Sequence, residues 1–219
     1  MTKASRFIVT ALGLAWSGLA VAQTVDCLAA VVNGQALTLA DVQIAEEFRL
    51  FPRAAEGAEG DARSAVLEAL IDQRVVLEVT RETGPVDPAR LEAALGGVRA
   101  AMGEAAFRAA LDKFGLTEAD LRPYLEDRIR FDRAVAVRFA VRNPVSAAEI
   151  ESYYRDVYVP GQRGQGLEPK PLEEVLLQIE GRVEESVRAE KVAEWIRNLR
   201  RQADVRVNRD CLGRRKEEP

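Results

Sequence analysis

The stretch Cys27-Leu28-Ala29-Ala30-Val31-Val32-Asn33-Gly34-Gln35-Ala36-Leu37-Thr38-Leu39-Ala40-Asp41 decides the fold. Its β-branched and small apolar run around an Asn-Gly pair reads as a strand with a tight turn. Thr38, with Asp41 three residues on, is the start signal of a helix, because the two side chains can cap each other's backbone N–H groups. A second β-like stretch, Val205-Arg206-Val207-Asn208, stands at the far end of the chain. If the two strands pair antiparallel, the start of the first lies opposite the end of the second. Cys27 and Cys211, the only cysteines, then come to the same end of the ribbon, where a disulfide can close. The closed loop would limit the unfolded chain by at most ~5 kcal/mol. The alternative is two independent thiols. With no Cys-x-x-Cys, a redox-active pair is not indicated.

Between these strands the chain reads as helices. The spacing predicts one from Thr38 to about Arg49, stopped before Pro52. A second runs from about 62 to 83, ended by Gly84-Pro85. A third is capped by Asp87, with Pro88 at its first position. Gly103 breaks the chain before a short helix bearing Phe107, Leu111 and Phe114. Gly115 suits a left-handed helix end. Thr117 with Asp120 opens a long helix to about 139, and Ser146 with Glu149 opens another carrying Tyr153 and Tyr154. Residues 159–171, with Gly161, Gly164, Gly166 and three prolines, read as a linker. A last helix follows from about Leu172 to Ala203, with room for an irregularity near Gly181. Val192, Trp195, Ile196 and Leu199 fall on its one face. The fold class is mainly α, with a small antiparallel ribbon made by the two terminal strands. Aromatic residues at helical spacing read as core first.

Residues 1–22 read as a secretion signal: Lys3 and Arg6, an apolar run from Phe7 to Val21, and the small-x-small pattern Ala20-Val21-Ala22. The run is shorter than the ~20 residues that span a bilayer, and the alternative is a retained anchor. Lys3 and Arg6 are the only charges in that segment, so its removal shifts the net charge from −4 to −6. This acidic balance argues against nucleic acid. The chain has no histidine. That removes Ser-His-Asp and Cys-His catalysis and the common zinc sites. No cofactor, metal or catalytic residue is expected.

The order of elements resembles the N-terminal domain family of SurA, the periplasmic chaperone, together with that family's C-terminal segment. The residues that carry the resemblance are Val31-Val32-Asn33-Gly34 with Leu37-Thr38-Leu39-Ala40-Asp41, then Leu70-Ile71-Asp72-Gln73-Arg74-Val75-Val76-Leu77 and Phe114-Gly115-Leu116-Thr117. Val145 to Tyr154 and Trp195 to Val207 complete it. The resemblance implies that the terminal helix and strand fold back onto the N-terminal part. The organisation expected is then a signal (1–22), a helical chaperone domain (23–158), a linker (159–171), a helix and strand completing that domain (172–210) and a tail (211–219). In the family a parvulin isomerase domain normally lies where the linker stands. Its place is not filled here, so isomerase activity is not carried over.

The function expected is a periplasmic holdase or escort for unfolded, nascent or extended exported polypeptides, outer-membrane proteins among them, without isomerase catalysis. The alternative is an envelope assembly subunit docking one defined protein partner. Candidate peptide contacts are Leu50 and Phe51 before Pro52, and Tyr153, Tyr154 and Tyr158 beside the linker. The competing reading is that these side chains cover the core. Nothing in the sequence fixes the oligomeric state.

Overall fold

The Asn-Gly pair makes a two-residue hairpin turn, and the fold is assembled around it. In this computed structural model residues 27–51, 62–81, 84–141 and 144–213 are described. The expected signal segment lies outside them. Asn33 (φ 47°) and Gly34 (φ 84°) both adopt the positive φ of a type I′ turn. They join β1 (Leu28–Val32) to β2 (Gln35–Thr38). The closing strand β3 (Val205–Val207) lies on the other edge of β1, antiparallel, with Val32 opposite Val205 and Ala30 opposite Val207. The ribbon between the chain ends is therefore present, and the hairpin return adds a third strand in the order β2-β1-β3. Asn33 ties turn, ribbon and helix layer together. Its backbone N–H donates to Asp204 O (2.8 Å), its side-chain oxygen accepts from Asp204 N–H (2.7 Å), and its amide nitrogen donates to Glu78 (2.6 Å).

The helices start where the caps direct. Thr38 begins α1 (Leu39–Glu47) with a reciprocal cap, in which Asp41 accepts from the Thr38 N–H and hydroxyl, both at 2.9 Å. Helices α2 (Ala62–Thr80) and α3 (Pro88–Met102) follow, the latter capped by Asp87. Gly103 at φ 83° separates α3 from α4 (Glu104–Phe114). Gly115 ends α4 in the left-handed region (φ 65°), and the Leu116 N–H reaches back to Leu111 O at 2.9 Å. The long α5 (Glu118–Arg138) opens on the Thr117–Asp120 box and holds Pro123 in its early turns.

The segment expected to be a linker is helical over its first half. From α6 (Ala147–Tyr153) the chain passes through a π turn (Tyr154–Tyr158) straight into α7 (Val159–Gly164). Pro160 has no N–H to offer the carbonyl of Asp156, and its ring would crowd that carbonyl in an α-helix. The wider π turn just before it relieves that conflict. Helix α8 (Leu172–Gln202) is unbroken, so the irregularity expected near Gly181 is absent. The interior of a helix tolerates one glycine at ~1 kcal/mol. The expected tail begins later than 211, because Cys211 in the turn Arg209–Cys211 and the adjacent Leu212 are buried.

Among the described residues three apolar clusters result. The first lies under the sheet and joins α1, α2, one turn of α5, the C-terminal half of α8 and Cys211. The second is built by α1, α3, α4 and α5 around Phe48 and Phe107, whose rings meet edge-on at 5.8 Å. The third sets Val175, Ile179 and Val183 of α8 against α6 and the π turn.

Candidate functional site

Helix α8 presents two different apolar faces along its length. Val175, Ile179 and Val183 are buried against α6, while Ile196 and Leu199 are buried in the first cluster, with Val192 and Trp195 packed against it. At about 100° per residue these two sets fall on roughly opposite sides of the helix. Where the stripe changes sides, α8 leaves an open groove against α5 and α2. Its volume is about 820 Å³. The floor is Val135 of α5 with Val192 and Ile196 of α8, and the rim is Arg128, Arg188, Arg197 and Arg200 with Asp72 and Glu185. A smaller cleft of about 180 Å³ shares Glu185 and Arg188 and continues to Phe139, Val141 and Gly181. Phe139 of that smaller cleft meets Trp195 edge-on at 5.6 Å, and the Arg138 guanidinium stands 4.9 Å above the Trp195 ring.

The groove wall is pinned by ions. Arg200 reaches from α8 to Glu68 (2.5 Å) and Asp72 (3.0 Å) on α2, and Arg209 also binds Glu68 (2.8 Å). Burial raises the Asp72 pKa above its ordinary value, only partly countered by the Arg200 charge. Burial also works against the Arg200 charge, but the hydrogen bonds and charges of Glu68 and Asp72 outweigh it and raise its pKa.

The five residues proposed from sequence do not form one site. Leu50 packs where the first two clusters meet. Phe51 packs on the first, and its ring lies under the Arg128 guanidinium at 5.4 Å, which connects it to the groove rim. Tyr153, Tyr154 and Tyr158 come together on the third cluster instead. Tyr154 and Tyr158 stack at 5.6 Å, and the Tyr154 hydroxyl donates to Lys170 O at 2.9 Å. All five are half-buried. The groove residues of α8 were missed in the sequence. The available signal was Leu172 to Val187, where apolar residues recur on the side opposite to Val192 and Ile196.

Cys27 and Cys211 are joined by a disulfide, with Cα atoms 5.9 Å apart, at the end of the β1–β3 ribbon. Among the described residues no group of three His, Cys, Asp or Glu side chains could hold a metal ion. No helix among them is long and apolar enough to cross a membrane.

This arrangement is a groove between helices with an apolar floor and a charged rim. The chain is similar to proteins named as chaperones. It is 30% identical over 141 residues to the chaperone SurA of Bordetella pertussis, and equally to that of Bordetella bronchiseptica. The matched segment covers 61% of this chain and 27% of each chaperone. No family model matches the sequence.

Proposed function

We propose that the chain is a periplasmic chaperone-like protein that holds unfolded or extended exported polypeptides, outer-membrane proteins among them, without isomerase catalysis. The observation that carries this reading is the open α5–α8 groove, whose apolar floor can take side chains of many sequences while its rim stays solvated. The similarity to two proteins named as the chaperone SurA supports it. Phe51 contributes from the rim through Arg128, and Leu50, Tyr153, Tyr154 and Tyr158 give secondary contacts. Release into the periplasm as a soluble protein would follow removal of residues 1–22. Mass spectrometry of protein recovered from the periplasm should give a chain starting at Gln23, and an intact Met1 start would remove the soluble periplasmic assignment.

The direct test is light scattering as an unfolded outer-membrane β-barrel protein is diluted into the purified protein. Suppressed aggregation near one-to-one stoichiometry is expected, with an inert acidic protein as control. No suppression over a wide range of ratios would defeat the holdase reading. A second reading, a subunit docking one defined envelope partner, draws on Val141 (84% exposed) beside the smaller cleft and Leu177 (82% exposed) one turn from Gly181.

A further inference from the structure

The groove differs in sign from the protein that contains it. The chain as a whole is acidic, at −4. The groove lining carries Arg128, Arg188, Arg197 and Arg200 against Asp72 and Glu185. Arg128 is engaged by Asp132, and Arg200 by Glu68 and Asp72. Arg188 and Arg197 are exposed and make no ion pair or side-chain hydrogen bond among the described residues. Glu185 is the lining's one carboxylate likewise without a partner there. Two unspent guanidinium groups thus flank an apolar floor. Along α8 the lining runs from Glu185 to Arg200, about 22 Å of helix axis. An extended peptide covers that in roughly six or seven residues at about 3.3 Å each.

We infer that this groove selects extended segments in which apolar residues alternate with Asp or Glu, and disfavours those alternating with Lys or Arg. In an extended chain the alternation sends apolar side chains to the floor of Val135, Val192 and Ile196 and carboxylates outward to the arginine rim. Guanidinium groups suit carboxylates better than a point charge would, because the planar fork binds both oxygens. The inference rests on the holdase reading and adds a substrate class to it.

The test uses protein purified from the periplasm and seven-residue peptides carrying a neutral dye, with Leu alternating with Asp, Ser or Lys. Fluorescence anisotropy reads binding. The Leu/Asp peptide should bind about fivefold tighter than Leu/Ser, and Leu/Lys weakest. The differences should shrink in 0.5 M salt, where the screening length falls to about 4 Å. Arg188→Glu with Arg197→Glu should invert the order. Arg163→Glu with Lys170→Glu, the same charge change outside the groove lining, should leave it intact. Equal affinity for the three peptides, or an order unmoved by the groove variant, overturns the selectivity. If aggregation of the β-barrel client is still suppressed in that case, the holdase reading stands without it. Absence of both peptide binding and suppression defeats both.

Discussion

Replacing Arg200 by Met tests whether the groove wall is held by charge. The substitution keeps most of the apolar stem and removes the guanidinium that joins α8 to Glu68 at 2.5 Å and Asp72 at 3.0 Å. The three side chains are 27%, 32% and 30% exposed, between the surface and buried limits. Exposed pairs contribute about 0.2–1 kcal/mol, and breaking a buried one costs about 3–5. A loss of about 2 kcal/mol at pH 7 is the expected outcome, read by urea denaturation with the disulfide intact. The pH dependence separates charge from packing. Asp72 already has a raised pKa from burial, so the fold disfavours its ionised form, and stability attributable to it falls as pH rises through the folded value. Without Arg200 that pKa rises further. The difference between variant and parent should therefore be full above the raised value and shrink as Asp72 takes up its proton. It should vanish below the ordinary carboxylate range. Adding Asp72→Asn to the variant should recover part of the loss, since the uncompensated charge is gone. A loss under about 0.5 kcal/mol, or one that does not change with pH, would refute the charge-pinned wall.

Four further outcomes follow from local geometry. Tyr124→Phe removes the hydroxyl that donates to Asp41 at 2.8 Å, linking α5 to the first helix cap, and should cost about 1.5 kcal/mol in the same denaturation assay. Gly115→Ala should cost about 1 kcal/mol from backbone strain alone, because φ is 65° while an added Cβ meets nothing within 4 Å. Native protein denatured without reductant should show no titratable thiol, and two thiols would remove the Cys27–Cys211 bond. In an NMR titration Asp156, held down by hydrogen bonds from Arg155 and Ser152, should titrate at about 2. Asp120 and Glu149, held down by hydrogen bonds from Thr117 and Ser146, should titrate below the ordinary range. These lowered groups support the fold above their unfolded pKa values and lose that support as pH falls through the folded ones.

What was legible in the sequence was chemistry confined to a few neighbouring residues. Thr38–Asp41, Thr117–Asp120 and Ser146–Glu149 announced three helix starts, and each forms its reciprocal cap. Asp87-Pro88 and Gly115 marked a start and an end for the same reason. The β1–β3 ribbon was readable because two cysteines bracket two β-like stretches. Glycine and proline misled between 159 and 171. There Gly161 and Gly164 sit inside a helix whose continuity depends on the π turn before Pro160 and on Tyr153, Tyr154 and Tyr158 packing against α8. That packing is tertiary, and no local signal encodes it.

The groove is hidden in sequence by the property of α8 that creates it. A helix with one apolar stripe announces its buried face, but 31 residues, about 46 Å long, exceed what one small core can cover. This helix serves two cores and turns a different side to each. Between Val183 and Val192 lie Glu184, Glu185, Ser186, Val187, Arg188, Ala189, Glu190 and Lys191, too charged to be buried against either. Neither core can close over that stretch, so α5 and α8 part there, and the apolar side chains at its margin, Val135, Val192 and Ile196, become the floor of a cleft. Filling the middle with leucine should draw α5 and α8 together and erase the groove while leaving both cores intact. The polar crossover is thus a requirement of the groove, and it gives the rim Arg188 and Glu185.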